Sequence, residues 1–245
     1  MKHIIRASEQ RVINQGKFII RLLPLGNAVP GHNDHGLYQL GRVDHATLEA
    51  GTLVPMHLHR DDEILSYMLR GTMEHKDSQG NVGSINNTNL MMMNAGSGFY
   101  HEEGVPDGGE TVEMLQIFIR PRADGLTPRV QFHQPDEAYS INKWRHIGGN
   151  EQSSAPLIIN SEIDIYDTRI LNGRVDLPQF EDKTAYLYVF DGSLNVPELD
   201  ENLKKGDAIL IEQEVFSVQS TETADLVLFV LDKEAKYSKN GLFAQ

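Results

Sequence analysis

The chain has 245 residues, 40% hydrophobic and 23% charged, with 22 Lys and Arg against 35 Asp and Glu and a formal net charge of −13. That length serves one large domain or two ordinary ones, and the acidic balance speaks against direct binding to nucleic acid, which rests on Lys and Arg displacing counterions. The chain has no cysteine, which excludes disulfides, thiolate metal sites and cysteine nucleophiles, so any metal must be held by nitrogen and oxygen.

No apolar run approaches the roughly 18 residues of a membrane helix, and the opening MKHIIRASEQ lacks the apolar stretch of a secretory signal. A cytoplasmic, monomeric protein without membrane contact is the expectation.

Along the chain, short runs of β-branched and aromatic residues alternate with turn signals. The runs are KFIIRLL (17–23), HATLEAG (45–51), EILSYML (63–69), TVEMLQIFI (111–119), PLIINSEIDIYDTRIL (156–171), TAYLYVF (184–190), DAILIEQ (207–213) and DLVLFVL (225–231). DSQGN (77–81), LNGR (171–174) and DGS (191–193) read as turns between strands. Many strands at close spacing predict an all-β sandwich or barrel. Helix is confined to short connections and to DKEAKYSK (232–239).

An internal echo divides the chain. YMLRGTM (67–73) aligns with YVFDGSL (188–194), NTNLMMM (87–93) with KGDAILI (205–211), and LQIFI (115–119) with VLFVL (227–231). Two tandem copies of one β-unit follow, 1–135 and 136–245, joined through the turn-rich RPRADGLTPR (120–129).

All ten histidines lie at or before His146, so only the first copy is equipped for imidazole ligation. In a strand, residues i and i+2 point to one face; in a helix they point nearly opposite ways. His57 and His59 therefore converge if their segment is extended, as do His101 and Glu103, with Glu102 turned away. Three imidazoles and one carboxylate suit Fe(II), Mn, Ni, Cu or Zn. An HxH alone is weak evidence, because exposed histidines are common. His3, His32, His35, His45, His75, His133 and His146 read as surface or hydrogen-bonded residues, Asp61-Asp62-Glu63 as a solvated loop, and Met91, Met92 and Met93 as alternating between the sheet faces.

GTLVPMHLHRDDEILSYMLRG (51–71) resembles the first cupin motif. MHLHRDDEILSYMLRGTMEHKDSQGNVGSI, followed by MNAGSGFYHEE (93–103) and IFIRPRADGLTPRVQF (117–132), resembles the pirin family. The resemblance is strong over about 35–132 and weaker over 150–245. It implies a bicupin, two β-barrels of the cupin type, with one divalent metal, commonly iron, held by His57, His59, His101 and Glu103. General cupins often use the glutamate of the first motif, here Glu63, which is kept as an outer partner and as an alternative to Glu103 in accepting a substrate proton. Leu58 stands where pirins usually have proline, and Asp61-Asp62-Glu63 replaces the usual sequence after the histidines.

Two functions follow from the resemblance. The first is a metal-dependent dioxygenase of the quercetin- or flavonol-cleaving type, with Met91 or Met93 and Phe99 supplying apolar wall. The second is a non-enzymatic, redox-responsive regulator that binds a protein partner. A metal that only stabilises the barrel is the third and plainest reading.

Overall fold

The computed structural model describes residues 2–29, 31, 33–212 and 216–245; His32 and Gln213, the last residue of the run expected at 207–213, lie outside the described residues. The described residues fold as strands joined by turns and three short 3-10 segments. Among the described residues, no helix is long and apolar enough to cross a membrane.

Two large sheets have matching strand orders. In the first half, Arg129–His133, Leu90–Asn94, Glu63–Arg70, Val112–Ile119 and Leu40–Leu48 lie side by side. In the second, the corresponding order is Lys2–Ile5, Ala208–Glu212, Thr184–Val196, Ser217–Leu231 and Ile163–Asp176. The bicupin expectation holds, and the three short sequence echoes fall on equivalent strands. A four-stranded sheet of Leu53–His59, Phe99–Gly104, Met73–Asp77 and Val82–Ile85 completes the first barrel.

Strand period sorts the side chains between two cores. Leu65, Tyr67 and Leu69 face outward from the first barrel and pack with Tyr186, Tyr188, Phe190, Val227 and Phe229 of the second. Their neighbours Ile64 and Met68 turn into the first barrel, while Leu226, Leu228 and Val230 fill the second. Strands covered on both faces read as continuous apolar runs, which is why EILSYML and DLVLFVL show little alternation. The three methionines divide the same way: Met92 joins the core between the barrels, and Met91 and Met93 face inward.

Both ends of the chain reach across the division expected at residue 135. Lys2–Ile5 pairs with Ala208–Glu212 in the second sheet, Ile4 opposite Ile209. Segment 240–245 packs on the first half, where Arg120 donates to the Ala244 carbonyl (2.9 Å) and Asp62 accepts from the Phe243 and Ala244 amides.

Several local expectations are corrected. Residues 232–239 are not helical; Ser238 N donates to the Pro121 carbonyl and Lys239 reaches Asp34, so tertiary contacts draw the segment along the first half. LNGR and DGS are not turns between strands but irregularities inside long strands, with register shifts between Leu171 and Gly173 and next to Gly192. Gly71 and Gly192 share positive φ, 79° and 80°. A Cβ on Gly71 would lie 2.8 Å from Val112 Cα, and one on Gly192 2.1 Å from the Thr223 carbonyl oxygen. The same conformation and the same crowding against a neighbouring strand explain why the echo preserves glycine at this point.

Candidate metal centre

Three neighbouring strands of the four-stranded sheet build the site. His57 of Leu53–His59 stands opposite His101 of Phe99–Gly104, and His59 stands opposite Phe99. On the other side, His101 is opposite Asp77 and Glu103 opposite His75. Along Phe99–Gly104 the burial alternates: Phe99, His101 and Glu103 point inward, while Tyr100 is exposed. Glu102 turns out to meet Lys76 at 3.5 Å. The period argument is correct in its local form; the two pairs come from adjacent, hydrogen-bonded strands.

The ring orientations favour a cation. His57 Nδ1 lies 2.8 Å from the Pro55 carbonyl oxygen and His59 Nδ1 lies 3.3 Å from Asp62 Oδ2, so each donates from Nδ1. Their bare Nε2 atoms then face each other at 3.0 Å with no hydrogen between them. His101 brings a third Nε2 to 3.1 Å from that of His57. Its Nδ1 faces His75 Nδ1 at 3.4 Å, and His75 Nε2 lies 3.0 Å from Asp77 Oδ2. With His75 neutral, donation along the chain His101, His75, Asp77 leaves the third Nε2 bare as well, whereas a proton on His75 Nδ1 reverses the first of these bonds. Imidazole nitrogens about 2.1 Å from one ion, at right angles to one another, stand about 3.0 Å apart. The His57–His59 and His57–His101 spacings each match a cis pair of ligands on one ion, and the carboxylates behind the imidazoles supply the outer support that such ligands require.

Glu103 is buried, and its Oε1 has no hydrogen-bond partner among the described residues. It lies 3.9 Å from Nδ1 of both His75 and His101, too far for a hydrogen bond. Two ligand-like groups result, His57-His59-His101 and His75-His101-Glu103, which share His101. All four expected ligands line one cavity of about 150 Å³.

The charges follow from burial and neighbours. Burial, reinforced by His59, His57 and His75, pushes His101 down to about 3, so it stays neutral and available as a ligand. His57 is lowered by burial, which outweighs the opposing bond to the Pro55 carbonyl and is reinforced by His59. Burial pulls Glu103 up, but the neighbouring imidazoles, His75 foremost, outweigh it and hold the carboxyl below its ordinary value. His75 is raised: burial opposes its charge, and Glu103 and Asp77 overcome that.

Other placements differ from expectation. Asp61, Asp62 and Glu63 are all buried, so the acidic run is no solvated loop. Asp61 accepts from the Gly125 amide, and Asp62 orients His59. Glu63 takes both Asn160 donors and Asn94 Nδ2 on its two oxygens, which ties the halves together, and it does not line the cavity. Its expected part in proton transfer is therefore corrected to a structural one. Met91, Met93 and Phe99 pack in the core; the apolar wall comes from Phe18, Met73, Met114, Phe118 and Phe243.

Sequence reasoning missed His75, which is buried behind His101, and Phe243, about 140 residues further on. His75-x-Asp77 has the same i, i+2 signature as the other pairs. Phe243 left no signal, because only tertiary docking brings it to the site. His45 is also buried, between Tyr188 (2.7 Å) and Glu113 (2.8 Å), and links the barrels.

Residues 32–119 match the family described as Pirin, and residues 147–231 match the Quercetinase C-terminal cupin domain. A protein of Escherichia coli O157:H7 named quercetin 2,3-dioxygenase is 27% identical over 200 residues, covering 81% of this chain and 85% of that protein. A relative from Mycobacterium bovis, whose name gives the same activity as a provisional assignment, is 31% identical over 185 residues, covering 74% of this chain and 73% of that one. The crystal structure of the bacterial pirin YhhW from Escherichia coli in complex with nickel(II) has a TM-score of 0.79 at 22% identity, covering 94% of this chain and 99% of that one.

Proposed function

The chain belongs to the pirin family of cupins, and on that premise we propose that it is a metal-dependent dioxygenase of the quercetin-cleaving type. His57, His59, His101 and Glu103 hold one divalent ion, with Fe(II) as the proposed resident and Ni(II), which the Escherichia coli pirin structure contains, as its competitor. The observation that carries this reading is the pair of Nε2 lone pairs facing each other at 3.0 Å, joined by a third at 3.1 Å. The names of the quercetin dioxygenase relatives supply the substrate class.

When bound, the ion supplies Lewis acidity toward a substrate hydroxyl and a meeting point for dioxygen. The protein does the rest. Asp62 and the His75-Asp77 pair hold the rings of His59 and His101 in the ligating orientation. Phe18, Met73, Met114 and Phe118 give the cavity apolar walls that exclude water and fit an aromatic ring. Glu103 would give one carboxylate oxygen to the ion, and its other oxygen would take the proton of the substrate hydroxyl; Oε1 has no hydrogen-bond partner among the described residues.

The test is metal analysis of protein purified without chelator, followed by oxygen uptake with a flavonol panel. The expected result is one ion per chain and uptake that His57→Ala abolishes. Uptake that survives His57→Ala would remove this site from the reaction.

A further inference from the structure

The metal cavity, at about 150 Å³, is smaller than the roughly 300 Å³ at which pockets begin to hold a drug-sized ligand. A single hydroxylated ring fits; a flavonol, with a fused ring pair and a pendant ring, does not. A second, more open cleft of about 500 Å³ adjoins it. Arg42 and Phe243 line both. Arg42 is fixed by two hydrogen bonds of 2.7 Å to Asp44. Phe243 stands on segment 240–245, which has no regular structure; its ring stacks on Phe118 at 5.5 Å and lies 4.7 Å from the ring of His59.

From this shared wall we propose that Phe243 is the specificity-determining residue of the site. It divides the ligand space into an inner chamber for one hydroxylated ring at the metal and an outer cleft for the remainder of a larger aromatic substrate. The inference rests on the proposed metal site and adds to it the size of ligand admitted. A flavonol reaches the ion only when the Phe243 ring moves aside and joins the two spaces.

The attachment of the segment fits this role. Asp62 Oδ1 accepts from the amides of Phe243 (3.0 Å) and Ala244 (2.9 Å), while its Oδ2 faces His59. Buried Arg120 holds the carbonyls of Ala244 and Gln245. The backbone is anchored on both sides of Phe243, so the ring can be varied without releasing the segment. The same carboxylate that orients a metal ligand thus positions the partition.

The experiment is calorimetric titration of nickel-loaded protein, without oxygen, with catechol and with quercetin, for the wild type, Phe243→Leu and Phe243→Ala. Melting curves establish that each variant is folded. Quercetin affinity is expected to rise in the order wild type, Leu, Ala, by about tenfold in total, or about 1.4 kcal/mol. Catechol affinity is expected to hold or fall, since Phe243 is one wall of its own chamber and a single ring needs none of the space that the substitution opens. Equal shifts for both ligands, or no shift for quercetin, would overturn the role of Phe243. Wild type that retains no nickel would instead overturn the metal-site reading. The same titrations on metal-free protein then test Phe243 by itself: its role predicts the same ordering for quercetin there, and no ordering refutes it.

Discussion

The strands Glu63–Arg70 and Thr184–Val196 hold the same place in their two sheets, each between a neighbour from the methionine-type echo and one from the LQIFI-type echo. Around the first, the barrel interior contains His57, His59, His101 and Glu103 beside a cavity. Around the second, Leu187, Val189, Ile209, Ile211, Leu226 and Leu228 pack together as an apolar core. One scaffold therefore supports either a site or a plug, depending on which residue types the inward positions carry. The second barrel also serves the first: it covers the outer face of the first large sheet, and the chain beyond it delivers Phe243 to the cavity.

The strongest way to break this contrast is His57→Ala. It removes one of three converging nitrogens and should weaken metal binding at least about 100-fold, beyond the range typical of losing an outer partner; metal analysis after dialysis reads it. Leu187→Ala, in the second barrel, should lower unfolding free energy by about 2–5 kcal/mol while leaving one ion per chain. Chemical denaturation and metal content, measured together, show whether stability and ligation separate between the barrels as described.

Asp62→Ala acts on both features at once. It frees the ring of His59 and the amides of Phe243 and Ala244, and metal affinity should fall by about 10- to 100-fold. Glu63→Gln, only one residue away, should cost about 1–3 kcal/mol of stability through the lost bonds to Asn94 and Asn160 and leave metal affinity unchanged. A loss of metal in Glu63→Gln would mean that the motif-one glutamate takes part after all.

Acid sharpens the contrast more gradually. His101 is held down to about 3 against an ordinary 6.5. The unfolded chain takes up a proton near the ordinary value that the folded chain does not, so this residue's contribution is complete above about 6.5 and is lost as pH falls towards 3. Melting temperatures of metal-free wild type and His101→Gln across that range should converge as the pH drops.

Much of the fold was legible because strand period and turn chemistry are local. The echo around Gly71 and Gly192 reflects one backbone conformation pressed against one neighbouring strand, and such a constraint leaves its mark in sequence. The i, i+2 spacing of His57 and His59, and of His101 and Glu103, carried the site for the same reason. Long-range placement was not legible. Asp61-Asp62-Glu63 has the composition of an exposed loop, yet each carboxylate is buried against donors from residues 125, 243–244 and 160. The run 232–239 has helical composition, and its contacts with Pro121 and Asp34 override that preference.

The central claim is a single ion bound within the first barrel, and anomalous diffraction from nickel- or iron-loaded crystals tests it directly. The account predicts one peak per chain, about 2.1 Å from Nε2 of His57, His59 and His101, with a Glu103 oxygen turned toward it. A peak elsewhere, or none at full loading, would contradict it.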